Sequence, residues 1–282
     1  MNIFRKFISR TKPEVISVTT GPAQPVKKTM VYALANLQGL GKRDNQEDSF
    51  AFGNALDPGE ILRKGLLAVI ADGMGGLAGG KIASETAAAA VLGAFREFDM
   101  AGDLARQLRD AVAVADKKVA ERLNGMGGTT VVAGLLYGGK LWFTSVGDSD
   151  LFLLRGRSLI RMNTVHTVYS MDILEGLRSG RLDLETARRN PERNAVTSYL
   201  GMNGLADADS LRIPWKLAAG DVLLFCTDGV SRTLDPDRIR SCLSTGGPEE
   251  MCAALEREIK KENRESQDNY TALIVQCLER EE

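Results

Sequence analysis

A chain of 282 residues, 44% hydrophobic and 26% charged, can bury a large core and has the make-up of a globular protein of one large or two ordinary domains. Its net charge of -1 offers no basic field, which argues against nucleic acid as a main partner. Four scattered cysteines without CxxC spacing argue against structural zinc and a disulfide framework. The same cysteine usage fits a reducing cytosol, so a cytoplasmic setting is expected, and no stretch approaches the ~20 apolar residues of a membrane span.

The N-terminus MNIFRKFISRTKPE is basic but lacks the apolar centre of a signal peptide. Ile3, Phe4, Phe7 and Ile8 can share one face of a short helix, but a frayed tail is the simpler reading. With the linker-like VISVTTGPAQPVKK it makes residues 1–29 a tail, and a single domain is expected over 30–282. Runs rich in Val, Leu, Ile and Phe predict strands at 30–38, 48–53, 65–71, 129–137, 140–146, 151–155, 210–215, 221–227 and 270–278. YGGK at 137–140 predicts a hairpin turn. Helical periodicity marks 81–98, 103–123, 248–263 and, more weakly, 170–189. Strands mostly follow strands, and helices are not interleaved one per strand. That pattern predicts an α+β fold of antiparallel sheets covered by helices, not a doubly wound parallel sheet.

Carboxylates collect at the strand boundaries. LLAVIADG and VLLFCTDG end in Asp72-Gly73 and Asp228-Gly229, and LWFTSVGDSD places Asp148 after another strand. Glu47 and Asp48 in RDNQEDSFAF, and Asp268 in SQDNYTALIV, instead precede strands. In antiparallel sheets the end of one strand adjoins the start of its neighbour, so these acids can share one rim. Two like charges in contact repel by about 4 kcal/mol even at an effective dielectric of 20. Cations must therefore neutralise such a rim, and oxygen ligands without His or Cys suit Mg2+ or Mn2+. Ordinary turn and cap roles explain any one of these aspartates, but not the whole set.

Three phosphate-binding patterns compete with this reading. Gly73-x-Gly75-x-x-Ala78 is one form of a dinucleotide fingerprint, but the region that should end a second parallel strand reads as helix. Gly75-x4-Gly80-Lys81 lacks the P-loop hydroxyl, since Ile82 follows. In either, Asp72 would aim a negative charge at the phosphate. Cys226-x5-Arg232 has the spacing of cysteine-dependent phosphatases, yet Cys226 ends an apolar strand, where an inert buried thiol is expected.

In order and spacing, RDNQED, ADGMGG, GGTT, VGDS, CTDG and DNYT resemble the metal-dependent serine/threonine phosphatases, the protein phosphatase 2C or PPM family, over residues 30–278. The resemblance implies a four-layer α-β-β-α sandwich and a binuclear Mn2+/Mg2+ centre, with a further weak site. Asp72 would bridge the two ions, Asp228 and Asp268 would complete one, and Glu47 with the Gly73 carbonyl the other. Asp48 would hold metal-bound water, Asp148 with Asp228 would match a third ion, and Arg43 would bind the substrate phosphate. A metal-bridging hydroxide would then attack phosphoserine or phosphothreonine in a protein substrate, opposing a Ser/Thr kinase. A monomer is expected, and Gly127 to Thr130 are read as structural.

The sequence departs from the family at several places. Met74, as in bacterial members, stands where eukaryotic ones often carry His, and Val165 replaces an Asp before His166, the only histidine. Asp150 and Ser198 stand where family arginines are common, and residues 163–210, the flap-like region, match least. These departures keep an alternative open: a weakly active or inactive relative that serves as a phosphoprotein-binding regulatory module.

Overall fold

A computed structural model describes residues 28–74, 79–181, 183–205 and 207–281. The chain passes through strands β1 (Lys28–Gly39) and β2 (Ser49–Gly53), helix α1 (Pro58–Lys64), and strands β3 (Leu66–Ala71) and β4 (Gly73–Met74). Helices α2 (Gly79–Phe95) and α3 (Leu104–Leu123) precede strands β5 (Gly128–Thr129), β6 (Val131–Tyr137), β7 (Lys140–Val146), β8 (Asp150–Arg155) and β9 (Ser158–Arg161). Helices α4 (Val168–Ser179) and α5 (Leu184–Arg189) lead to short strands β10 (Asp209–Ser210) and β11 (Trp215–Lys216). Last come β12 (Val222–Cys226), helices α6 (Asp228–Ser231), α7 (Pro236–Leu243) and α8 (Pro248–Glu262), and β13 (Tyr270–Glu281).

Two sheets result, ordered β1-β13-β12-β8-β9 and β10-β7-β6-β3-β2, with β11 also on β7 and a separate β4-β5 pair. Side chains alternate between the two faces of each strand. Leu66, Ala68 and Ile70 of β3 join Leu223 and Phe225 of β12 and Leu273 and Val275 of β13 in one core between the sheets. The alternate residues Leu67 and Val69 pack with α2 and α3. Val222, Leu224 and Cys226 pack with α7 and α8. Both faces of the central strands are therefore covered, which explains their unbroken apolar runs and gives the expected α-β-β-α order of layers.

Local chemistry sets the element ends. The β6–β7 hairpin turns at Gly138 and Gly139, with φ of 57° and 68°, as a two-residue turn matched to strand twist requires. Asp103 caps α3 by accepting from Arg106 N–H at 3.0 Å, and left-handed Asn124 closes it. The buried face of α2 is small, with Ala83, Ser84, Ala87 and Ala90 allowing close approach to the sheet.

Some elements differ from expectation. The pattern over 170–189 is two helices, because Gly180 takes φ 67° and ends α4. The strand expected at 210–215 is only the ends β10 and β11, with Pro214 lacking a ladder N–H and Ile213 83% exposed between them. Helices α1, α6 and α7 and edge strand β9 were not anticipated. Among the described residues no helix is long and apolar enough to cross a membrane. The expectation for the N-terminal segment falls, up to residue 27, outside the described residues, as do Gly75 to Ala78 of the glycine run.

Candidate metal centre

Strand register explains why the acids meet. Ser49 faces Ala71 across the β2–β3 ladder, so Asp72 leaves one strand beside Glu47 and Asp48 entering the other. In the second sheet Cys226 faces Ala272, which sets Asp228 beside the segment carrying Asp268. The stacked sheets bring both groups to one rim. Glu47, Asp72, Gly73, Asp148, Asp228 and Asp268 line a single cleft of about 510 Å³ with Arg43, Met74, Asn194, Val196 and Arg232. Asp48 lies behind them, 4% exposed. Its Oδ2 accepts from Thr227 Oγ1 at 2.9 Å and Thr271 Oγ1 at 2.6 Å, whereas the buried Oδ1 has no hydrogen-bond partner.

The backbone at the rim is held by the motif residues. The Asp72 carbonyl accepts from Thr130 N–H at 2.9 Å and Thr129 Oγ1 at 2.8 Å, and Asp72 N–H donates to Thr130 Oγ1 at 3.0 Å. This clamp is the structural role expected of the GGTT run. Asn269 Oδ1 accepts from Glu47 N–H at 2.8 Å while its Nδ2 donates to Leu40 O at 2.9 Å, tying three segments together. At Gly73 an added Cβ would lie 2.2 Å from Gly80 O and 2.6 Å from Glu47 O, so only glycine fits.

The carboxylates sit uneasily without counter-charge. Burial first, with the charge of Asp228 adding to it, pushes Asp48 and Asp148 up to about 7. Burial, then repulsion from Asp48, Asp228, Asp148 and Asp268, raises Asp72 well above the carboxylate range. Asp228 and Glu47 are raised by burial in the same way. Two arginines supply positive charge: Arg43 Nη2 lies 2.6 Å from Asp268 Oδ2, and Arg232 contacts Asp148 and Asp228 at 2.5 and 3.1 Å. No three acidic, histidine or cysteine side chains among the described residues close on a common point. The acids share a cleft and its field, not a closed cage.

Other candidates fall elsewhere. His166 Nδ1 accepts from Gly147 N–H at 3.0 Å and lines a separate apolar groove, so it braces the turn before Asp148. Asp150 reverses no charge in the cleft. It is buried with Arg161 Nε 2.9 Å from its Oδ1, an ion pair too poorly aligned to count as a hydrogen bond. Cys226 is fully buried against α7 and α8, and burial raises its thiol far above the reactive range. Cys226→Ala is therefore expected to keep phosphomonoester turnover within about twofold of wild type; a dead but folded variant in the same assay would restore a thiolate mechanism. Arg232 was dismissed with the cysteine pattern. Its signal was its place four residues after Asp228, one helical turn on.

Fold and site together define an α-β-β-α sandwich with an acidic, oxygen-lined rim. No family model matches the chain. It is 29% identical over 220 residues to the serine/threonine phosphatase stp of Listeria welshimeri, covering 74% of this chain and 84% of that protein. It is 28% identical over 255 residues to the serine/threonine protein phosphatase PstP of Mycobacterium tuberculosis, covering 88% of this chain and 45% of that protein. A solved catalytic domain of PstP, in complex with two manganese ions, superposes with a TM-score of 0.70 at 26% identity, covering 89% of this chain and 100% of that one. In sequence and fold the chain is thus similar to bacterial serine/threonine phosphatases.

Proposed function

We propose that this protein removes phosphate from phosphoserine and phosphothreonine side chains, using two divalent cations, Mn2+ or Mg2+, held at the carboxylate rim. The observation that carries this reading is one cleft lined by Glu47, Asp72, Asp148, Asp228 and Asp268, acids whose burial and mutual repulsion call for cations. The donor set fits: all ligating atoms are oxygens, and a buried Asp48 Oδ1 is left without a partner. The PstP neighbour, which holds two manganese ions, supports the same count here.

Asp72 would serve both ions, Asp228 and Asp268 one, and Glu47 with the Gly73 carbonyl the other. When bound, such ions acidify a water held between them and neutralise charge on the phosphoryl oxygens. Asp48, fixed by Thr227 and Thr271 on one oxygen, has the other free to orient that water. Arg43 is 57% exposed on its side chain and can swing from Asp268 to hold a phosphate with two parallel N–H donors. Met74 offers no proton, so the departing Ser or Thr oxygen takes its proton from solvent in the open cleft. A Ser/Thr kinase would supply the phosphorylated substrate.

Hydrolysis of p-nitrophenyl phosphate and a phosphothreonine peptide, with Mn2+ and with EDTA, tests this. Turnover only with Mn2+ is expected; Mn2+ binding without turnover of either substrate would leave a phosphoprotein-binding role instead. Arg43→Ala should raise KM for the peptide about 10- to 100-fold, as loss of a charge-assisted pair does, with kcat changed far less. An unchanged KM would remove Arg43 from phosphate recognition.

A further inference from the structure

Arg232 is the residue of the cleft that the two-cation reading leaves without a task. It follows α6, and its N–H donates to Asp228 O at 2.8 Å, so its side chain turns back toward the Asp228 carboxylate. Nη1 lies 3.1 Å from Asp228 Oδ2, and Nη2 lies 2.5 Å from Asp148 Oδ2. Nη2 also donates to the Asn194 carbonyl at 3.2 Å, on the segment between α5 and β10 that lines the cleft. One planar guanidinium therefore spans two carboxylates from different strand ends and a backbone oxygen of the facing loop.

We infer that Arg232 is a built-in counter-cation for Asp148 and Asp228, which bars a further divalent ion from that pair and limits the cleft to two. A divalent ion shared by the two aspartates would have to sit beside a guanidinium that already engages one oxygen of each, against the repulsion of like charges. The guanidinium is tethered by its own chain, so it cannot be washed out as an ion can. Its fork matches two acceptors at once, a geometry that a lysine ammonium, as a point charge, reproduces poorly. Arg232 thus acts through the aspartates as a positioning residue, while its bond to Asn194 holds the loop on the rim.

This inference rests on the two-cation reading, and the experiment separates the two. Mn2+ bound per chain is counted by equilibrium dialysis with metal analysis on the whole protein, up to millimolar free Mn2+. Wild type should bind two ions and Arg232→Gln three, with the double variant Arg232→Gln/Asp148→Asn returning to two. Amide exchange over 190–196 should quicken about tenfold in Arg232→Gln. Three ions on wild type, with Arg232 intact, overturn the inference whether or not any variant folds. Two ions on both wild type and a folded Arg232→Gln overturn it alone, leaving the two-cation reading in place. No ion on wild type overturns both.

Discussion

Asp72→Asn is expected to lower Mn2+-dependent turnover by ~10³-fold or more while making the metal-free protein harder to melt. The loss follows from the proposed role of Asp72, which would serve both cations. Several kcal/mol of charge stabilisation at phosphorus depend on them, and about 4 kcal/mol is a thousandfold in rate. The gain follows from burial. Asp72 is raised well above the carboxylate range, by desolvation first and then by repulsion from four other aspartates. Asparagine keeps the shape and removes the charge. A relief of about 1 kcal/mol would raise Tm by roughly 2–4 °C in a domain of this size. Mn2+ should raise Tm of wild type and leave that of Asp72→Asn unmoved, since only binding to the folded state stabilises it. An active variant, or one that fails to fold, would show the cluster to be structural.

Without metal, stability should fall as pH rises from 5 to 8, and with Mn2+ the trend should reverse. Asp48 and Asp148 move from 3.8 in model compounds to about 7 in the fold. Between those values the folded state binds more protons than the unfolded one, so its stability is complete near pH 4 and is lost as pH climbs through 7. His166 works the other way: burial lowers it, and its unfolded form gains a proton below about pH 6.5, which erodes stability toward acid. The carboxylates outnumber it. A net loss of about 2 kcal/mol from pH 5 to 8 corresponds to a Tm lower by roughly 4–8 °C. Cations compete with protons for the same oxygens, so Mn2+ stabilises more as pH rises. Melting curves at pH 5, 6.5 and 8, with EDTA and with Mn2+, read both trends; a metal-free Tm that is flat or rises with pH would contradict them.

The central strands were legible because burial on both faces writes an unbroken apolar run, as in LLAVIA and VLLFC. The rim was legible for a related reason: a carboxylate at the end of such a run has left the core and must sit at its edge. Elements with little to bury carry no such mark. Edge strand β9 is largely exposed, and α1 buries no residue, although Asp57 and Pro58 spell a helix start. Pairings across long sequence gaps were equally silent. Nothing near Asp150 announces Arg161 as its partner, and the contact of Arg232 with Asp148 spans 84 residues. Arg232 also lay inside a pattern with a stronger competing meaning, which drew attention to Cys226, a core thiol.

Strand β13 lies between β1 and β12 in its sheet, not at an edge, and Asp268 sits just before it. The interior of that sheet therefore closes only once β13 has been made, and the segment carrying Asp268 reaches the rim with it. Chains that stop before β13 would carry Asp72 and Asp228 in a sheet that lacks an interior strand. The order of the strands thus ties assembly of the acidic rim to the arrival of β13.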